Sequence, residues 1–142
     1  MKILICDDEV FTLKAMSYEL KKSGYEIVTA ADGFDAMNKI VSERPDIIIS
    51  DIAMPYLSGL ELLNYLKSTF NDNRAILLVS ALVREELIKT AMRLGADAFI
   101  TKPFRKGELT AKVKEIIERK KKSLYPEEAE KKRSPRKKVS KA

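Results

Sequence analysis

At 142 residues the chain has the size of one ordinary domain, long enough to bury a real core. Apolar residues make up 45% and charged residues 34%, a globular balance. No apolar run approaches the roughly 20 residues that a membrane-crossing helix needs. There is no histidine and one cysteine, Cys6. This excludes an internal disulfide, a cysteine-rich metal site, and the Ser-His-Asp, Cys-His and His-zinc chemistries together.

The charge divides unevenly. Residues 1–118 carry 16 Lys and Arg against 18 Asp and Glu, a net of −2; residues 119–142 carry 11 against 3, a net of +8. The high isoelectric point therefore belongs to the last stretch and says nothing about the surface of the rest. The start, MKILICDDEV, meets an acid pair where a signal peptide would continue its apolar run. No secretory leader is expected, and a cytoplasmic, membrane-free protein is.

In chain order, the aliphatic run Lys2–Cys6 predicts a first strand, ending at Cys6-Asp7-Asp8-Glu9. Val10, Leu13, Met16 and Leu20, spaced 3, 3 and 4, predict a helix that stops at Gly24. The half-polar Tyr25–Ala30 reads as a strand near a sheet edge, and Asp32 as the N-cap of a second helix around Ala36–Val41. Asp46–Ser50 contains the unbroken Ile47-Ile48-Ile49, which fits a strand covered on both faces, and it ends in Asp51. Ser58-Gly59-Leu60-Glu61 is a capping box opening the helix that holds Leu62, Leu63 and Leu66.

Ala75–Ser80 predicts the fourth strand; Val83, Leu87, Ala91 and Leu94 predict the fourth helix, stopped by Gly95. Ala98–Thr101 predicts the fifth strand, followed by Lys102-Pro103. Leu109, Val113, Ile116 and Ile117 mark the fifth helix. Its start, Phe104-Arg105-Lys106-Gly107, lacks a Ser or Asp cap and sets basic residues against the helix dipole, so a frayed beginning is expected. Five strand–helix repeats predict a single α/β, doubly wound (βα)5 domain over residues 1–120, with a parallel five-stranded sheet and helices on both faces. Residues 121–142 are expected to form a basic, flexible tail.

In such sheets ligands sit outside the carboxyl ends of the strands. Asp7 and Asp8, Asp51, Ser80 and Lys102 stand there. Carboxylates packed together repel and raise one another's pKa unless a cation joins them. Magnesium, with its preference for oxygen ligands, suits them. It leaves one Asp51 oxygen free to attack phosphorus while it neutralises an incoming phosphoryl group. Lys102 offers a compact charge for a second phosphoryl oxygen and Ser80 a hydroxyl for a third.

At this point the chain resembles the response-regulator receiver domains of two-component signalling. The segments ILICDDE, IIISDIAMPYLSGLELL, ILLVSA and GADAFITKPF carry the resemblance across the folded part. It implies the strand order 2-1-3-4-5. It implies that Asp51 is the phosphate acceptor, that Asp8 ligates Mg2+ (or Mn2+) directly and Asp7 largely through water, and that Ala53 supplies a backbone carbonyl ligand. Ser80 and Phe99 become the switch pair, Lys102 the phosphoryl-facing lysine, and Lys102–Pro103 a cis bond. The implied donor is a histidine kinase or phosphotransfer protein. The implied output is a downstream protein bound through helix 4, strand 5 and helix 5. No enzyme activity is implied beyond Mg-dependent self-phosphorylation and slow self-dephosphorylation.

Ala53, two residues after Asp51, and Leu82, two after Ser80, offer no group to orient a hydrolytic water, so a long-lived phosphoryl group is expected. A phosphatase with a strand-end nucleophile usually carries a second Asp two residues later, as general acid/base; Ala53 stands there instead. The basic stretch 131–138, with Ser134-Pro135-Arg136-Lys137-Lys138, resembles arms that contact DNA or other polyanions. Lys89, Arg93 and Asp97 offer a charged seam for a weak homodimer, although Ala98 stands where dimerising relatives often have a second acid; a monomer is the other expectation.

Overall fold

Strand β1 (Lys2–Cys6) is followed by α1 (Val10–Lys22), β2 (Glu26–Ala30), α2 (Gly33–Glu43), β3 (Ile47–Asp51) and α3 (Gly59–Thr69). The remaining elements are β4 (Ala75–Ser80), α4 (Glu85–Arg93), β5 (Ala98–Thr101) and α5 (Glu108–Leu124). The computed structural model describes residues 1–69, 73–82 and 84–124. Val83 and the basic stretch 131–138 lie outside the described residues. The sheet is parallel throughout, in the order β2-β1-β3-β4-β5.

The period-two pleat divides each central strand between two cores. Leu4, Cys6, Ile48, Ile76 and Leu78 face α2, α3 and α4 and meet Ala36, Ile40, Leu62, Leu63, Leu66 and Ala91. Ile3, Ile5, Ile47, Ile49, Leu77 and Val79 face α1 and α5 and meet Met16, Leu20, Leu109, Val113 and Ile116. Strands β3 and β4 are buried at every position, whereas β2, at the edge, is buried only at Ala30.

The helix signals have identifiable groups behind them. Ser58 and Glu61 exchange hydrogen bonds, Glu61 N–H to Ser58 Oγ and Ser58 N–H to Glu61 Oε1, both at 3.1 Å. The Asp32 carboxylate accepts from Asp35 N–H at 2.8 Å. Gly24 and Gly95 have φ of +96° and +109°, as helix-ending glycines do.

Several boundaries move. Tyr25 belongs to the turn after α1, because its N–H turns back to the Leu20 carbonyl at 3.2 Å. Helix α2 begins three residues earlier than Ala36, at Gly33, directly after its Asp32 cap. Strand β3 starts at Ile47 and includes Asp51, which pairs with Val79. Helix α5 starts at Glu108, and its first turn is not left bare: the Glu19 carboxylate of α1 accepts from Gly107 N–H, Thr110 N–H and the Thr110 hydroxyl at 3.3, 2.9 and 2.8 Å. The basic residues Arg105 and Lys106 precede the helix instead of opening it.

Candidate functional site

The sheet ladder runs one residue past the strands and so places the site. Asp7 N–H donates to Ala30 O at 3.1 Å, Ile52 N–H to Val79 O at 3.1 Å, and Lys102 N–H to Ser80 O at 2.8 Å. Asp7, Asp51 and Lys102 are thereby brought to one rim from three strands. The Lys102 ammonium lies 2.6 Å from Asp7 Oδ2 and 2.9 Å from Asp51 Oδ2. The second oxygens are held by backbone: Asp7 Oδ1 accepts from Glu9 N–H at 2.9 Å, and Asp51 Oδ1 from Ala53 N–H at 3.2 Å.

Asp8, one residue beyond Asp7, is exposed. The next residue, Glu9, turns its carboxylate back to cap α1, accepting from Phe11 and Thr12 N–H, so Asp8 is left at the mouth of the site. Among the described residues, Asp7, Asp8 and Asp51 each bring one carboxylate oxygen within 4.8 Å of the others.

Burial is the main reason the Asp7 pKa is raised above the usual carboxylate value, and the Asp51 charge adds to it. Hydrogen bonds from Lys102 and Glu9 N–H pull the other way without cancelling it. Burial also works against the Lys102 ammonium, but its hydrogen bonds to the two aspartates outweigh that, and its pKa is raised. One ammonium thus serves two carboxylates, with a third at the rim. An oxygen-only, anionic set with an open edge fits a hard divalent cation.

The Ser80 hydroxyl is buried and accepts from Leu82 N–H at 3.0 Å. Phe99 on β5 is half-buried and packs on the core shared by α2, α3 and α4. Ala53 and Leu82, on either side of the site, are exposed. The Lys102–Pro103 bond is cis. Asp97 is occupied within the chain: its carboxylate accepts from Ile76 N–H at 2.8 Å and pairs with Lys120 at 3.2 Å, while Lys89 pairs with Glu85 at 3.2 Å.

Two close contacts of the β3–α3 segment escape sequence reading. Gly59, the first residue of α3, packs so closely that a Cβ there would stand 2.3 Å from the Asp51 carbonyl oxygen. The other is Phe34 of α2, whose ring stacks on Tyr56 in the β3–α3 loop with centroids 5.3 Å apart. No local sequence signal marks either pairing.

A parallel sheet of this order, with acids and a lysine gathered at its carboxyl edge, defines a doubly wound domain of the receiver type. The chain belongs to the response regulator receiver domain family, whose model matches residues 3–114. It is 38% identical over 118 residues to the alkaline phosphatase synthesis transcriptional regulatory protein PhoP of Bacillus subtilis, covering 83% of this chain and 49% of that protein. It is 35% identical over 119 residues to response regulator MprA of Mycobacterium avium, covering 84% of this chain and 52% of the relative. The chain thus spans about half the length of the curated relatives it matches. Among solved structures, the receiver domain of Francisella response regulator 1452 superposes with a TM-score of 0.79 at 31% identity, over 84% of this chain and 98% of that one. The CheX-CheY-BeF3-Mg+2 complex from Borrelia burgdorferi gives 0.78 at 33% identity, over 82% and 89%.

As a receiver domain the chain is a phosphorylation-dependent switch of two-component signalling. Among the described residues, no helix is long and apolar enough to cross a membrane.

Proposed function

We propose that Asp51 accepts a phosphoryl group in a reaction that needs Mg2+, from a histidine kinase or phosphotransfer protein. The observation that carries this is the placement of Lys102 within 2.6 and 2.9 Å of Asp7 and Asp51. Asp8, Asp51 and the Ala53 carbonyl are the proposed cation ligands, with Asp7 acting through water. The cation supplies charge neutralisation for the phosphoryl oxygens.

An ionised Asp51 oxygen attacks phosphorus. The P–O bond forms, the P–N bond of the donor phosphohistidine breaks, and its electron pair returns to the imidazole, which takes a proton. No proton has to leave Asp51. Lys102 is already on the Asp51 side chain and can follow the developing charge on a phosphoryl oxygen. These 142 residues contain no histidine, so the donor imidazole lies outside them. Small phosphodonors serve the same attack, and hydrolysis of the product is slow.

The Ser80 hydroxyl then leaves Leu82 N–H and donates to the phosphoryl group. Phe99 follows into the space opened behind it, and the α4, β5 and α5 surface changes toward a downstream protein. A gap of a few kcal/mol between the two states suffices for such a shift. The test is intact-mass spectrometry after acetyl phosphate and Mg2+. One phosphoryl group on the parent and none on Asp51→Asn or without Mg2+ supports the reading; equal labelling of Asp51→Asn refutes it.

A second reading concerns residues 131–138. The basic run Ser134-Pro135-Arg136-Lys137-Lys138, in a stretch 119–142 of net charge +8, supports a polyanion-binding role beyond a proposed receiver domain of residues 1–120. Salt-sensitive DNA binding that vanishes on deleting residues 123–142 is its expected signature.

A further inference from the structure

Tyr56 has a φ of +71°. Leu57 N–H donates to the Pro55 carbonyl at 2.8 Å, so Tyr56 is the centre of a three-residue γ-turn of the positive-φ kind. That turn is rare and strained for any residue with a Cβ. Such backbone persists only where its surroundings over-determine it.

The surroundings here are the first residues of α2. The Phe34 ring lies over the Tyr56 ring at 5.3 Å with 18° between their planes. Gly33 sits so tightly beneath the loop that a Cβ would meet Leu57 Cβ at 2.2 Å, and its N–H points to the Pro55 carbonyl at 3.4 Å. Both rings are largely solvent-exposed, Phe34 at 60% and Tyr56 at 75%. Core burial therefore does not account for the pair.

The loop held this way carries Ala53. It is anchored at its start by Ile52 N–H on Val79 O, and at its end by Gly59 N–H on Ile52 O at 2.9 Å. Between those anchors Ala53 N–H is held by Asp51 Oδ1 at 3.2 Å and Met54 is buried in the core, and directly beyond them α2 grips Pro55, Tyr56 and Leu57.

We propose that Phe34 is a positioning residue of the cation site: stacked on Tyr56, it holds the strained turn and, through it, the Ala53 carbonyl in the place that cation binding requires. The inference rests on the proposed use of Asp8, Asp51 and Ala53 as cation ligands. Its distinguishing consequence is a dependence on the strain. A glycine at position 56 adopts the same φ freely and has no need of the clamp.

The experiment is calorimetric titration of the full chain with Mg2+ alone. Phe34→Ala is expected to weaken binding by about threefold to tenfold, the span an aromatic pair converts to, and Phe34→Tyr to keep the parent affinity. In a Tyr56→Gly background, Phe34→Ala is expected to leave the affinity within about twofold. Because Phe34 is largely exposed, the variants should retain the parent circular dichroism; Phe34→Leu stands in if Phe34→Ala does not. Equal affinities in parent and Phe34→Ala, or the same loss in both backgrounds, overturn the positioning role. A parent that shows no saturable Mg2+ binding sensitive to Asp8→Asn overturns the cation reading itself, and the positioning role with it.

Discussion

Lys102 stands 2.9 Å from Asp51 and behaves as a resident cation, because the oxygen it holds belongs to the proposed phosphate acceptor. It shares its charge with Asp7, whose side chain is 0% exposed. Replacing it with Met leaves two neighbouring carboxylates without their ammonium. The expected results pull in opposite directions. Mg2+ affinity rises, since a competing positive charge is gone. Phosphoryl uptake from acetyl phosphate falls by about a hundredfold, since a preorganised donor is gone. The cation-free protein loses on the order of 2 kcal/mol, below the usual cost of splitting a buried pair because Lys102 keeps some solvent contact. Titration calorimetry, timed mass spectra and urea melts separate the three effects.

The lifetime of the acyl phosphate follows from what lines the site. Two residues past Asp51 and two past Ser80 stand the exposed methyl group of Ala53 and isobutyl group of Leu82, neither able to orient water for in-line attack. The phosphoryl group on Asp51 is expected to last from minutes upward in Mg2+. Ala53→Glu, which adds a water-orienting carboxylate at the mouth, is expected to shorten it. Decay within seconds in the parent, followed by mass spectrometry, refutes the expectation.

Glu19 and Thr110 lie on different helices, yet the carboxylate of one closes the amino end of the other. Glu19→Ala removes the acceptor for two N–H groups and a hydroxyl. It is expected to destabilise the domain by about 1–2 kcal/mol, the upper part of the range for a lost cap. Hydrogen exchange should rise first at Gly107–Thr110. An unchanged urea midpoint with unchanged exchange there contradicts this.

That cap also marks where sequence reading stops. Strands β3 and β4 are legible because burial on both faces turns them into unbroken aliphatic runs. Capping at Asp32 and Ser58 is legible because donor and acceptor sit within three residues. Asp7, Asp51 and Lys102 are legible as strand-end residues, but the sequence does not say which of Asp7 and Asp8 turns inward. The extended ladder decides it, by tying Asp7 N–H to Ala30. The α5 cap comes from a residue 91 positions away, so no local rule finds it. The positive φ falls on Tyr56, whereas the glycine of Pro55-Tyr56-Leu57-Ser58-Gly59 opens α3.

Gly59 meets the Asp51 carbonyl so closely that an added methyl group has nowhere to go; its Cβ would also lie 3.0 Å from Ile52 Cα. Backbone, not a flexible side chain, forms the obstacle. Gly59→Ala is therefore expected to push β3 and the start of α3 apart, costing about 1–3 kcal/mol as overpacking does. It is also expected to lower phosphoryl uptake on Asp51 by displacing its backbone. A melt indistinguishable from the parent's contradicts the contact.

Cys6 gives a pH-dependent readout of the whole fold. It is 0% exposed, and burial, the leading cause, pushes its thiol pKa well above the ordinary 9.0. The Asp35 and Asp7 charges push the same way, and Lys39 opposes them. In the unfolded chain the thiol titrates near its ordinary value. Above that pH the unfolded state gives up a proton that the folded state keeps, so stability falls as pH rises. Two outcomes are expected. Iodoacetamide labels native Cys6 only as fast as the domain opens, and more slowly once Mg2+ stabilises the folded state. The urea midpoint of the parent drops on going from neutral pH to above 9.0, and drops less in Cys6→Ala. Rapid labelling of the native protein, or equal alkaline losses in both proteins, removes the buried thiol from the account.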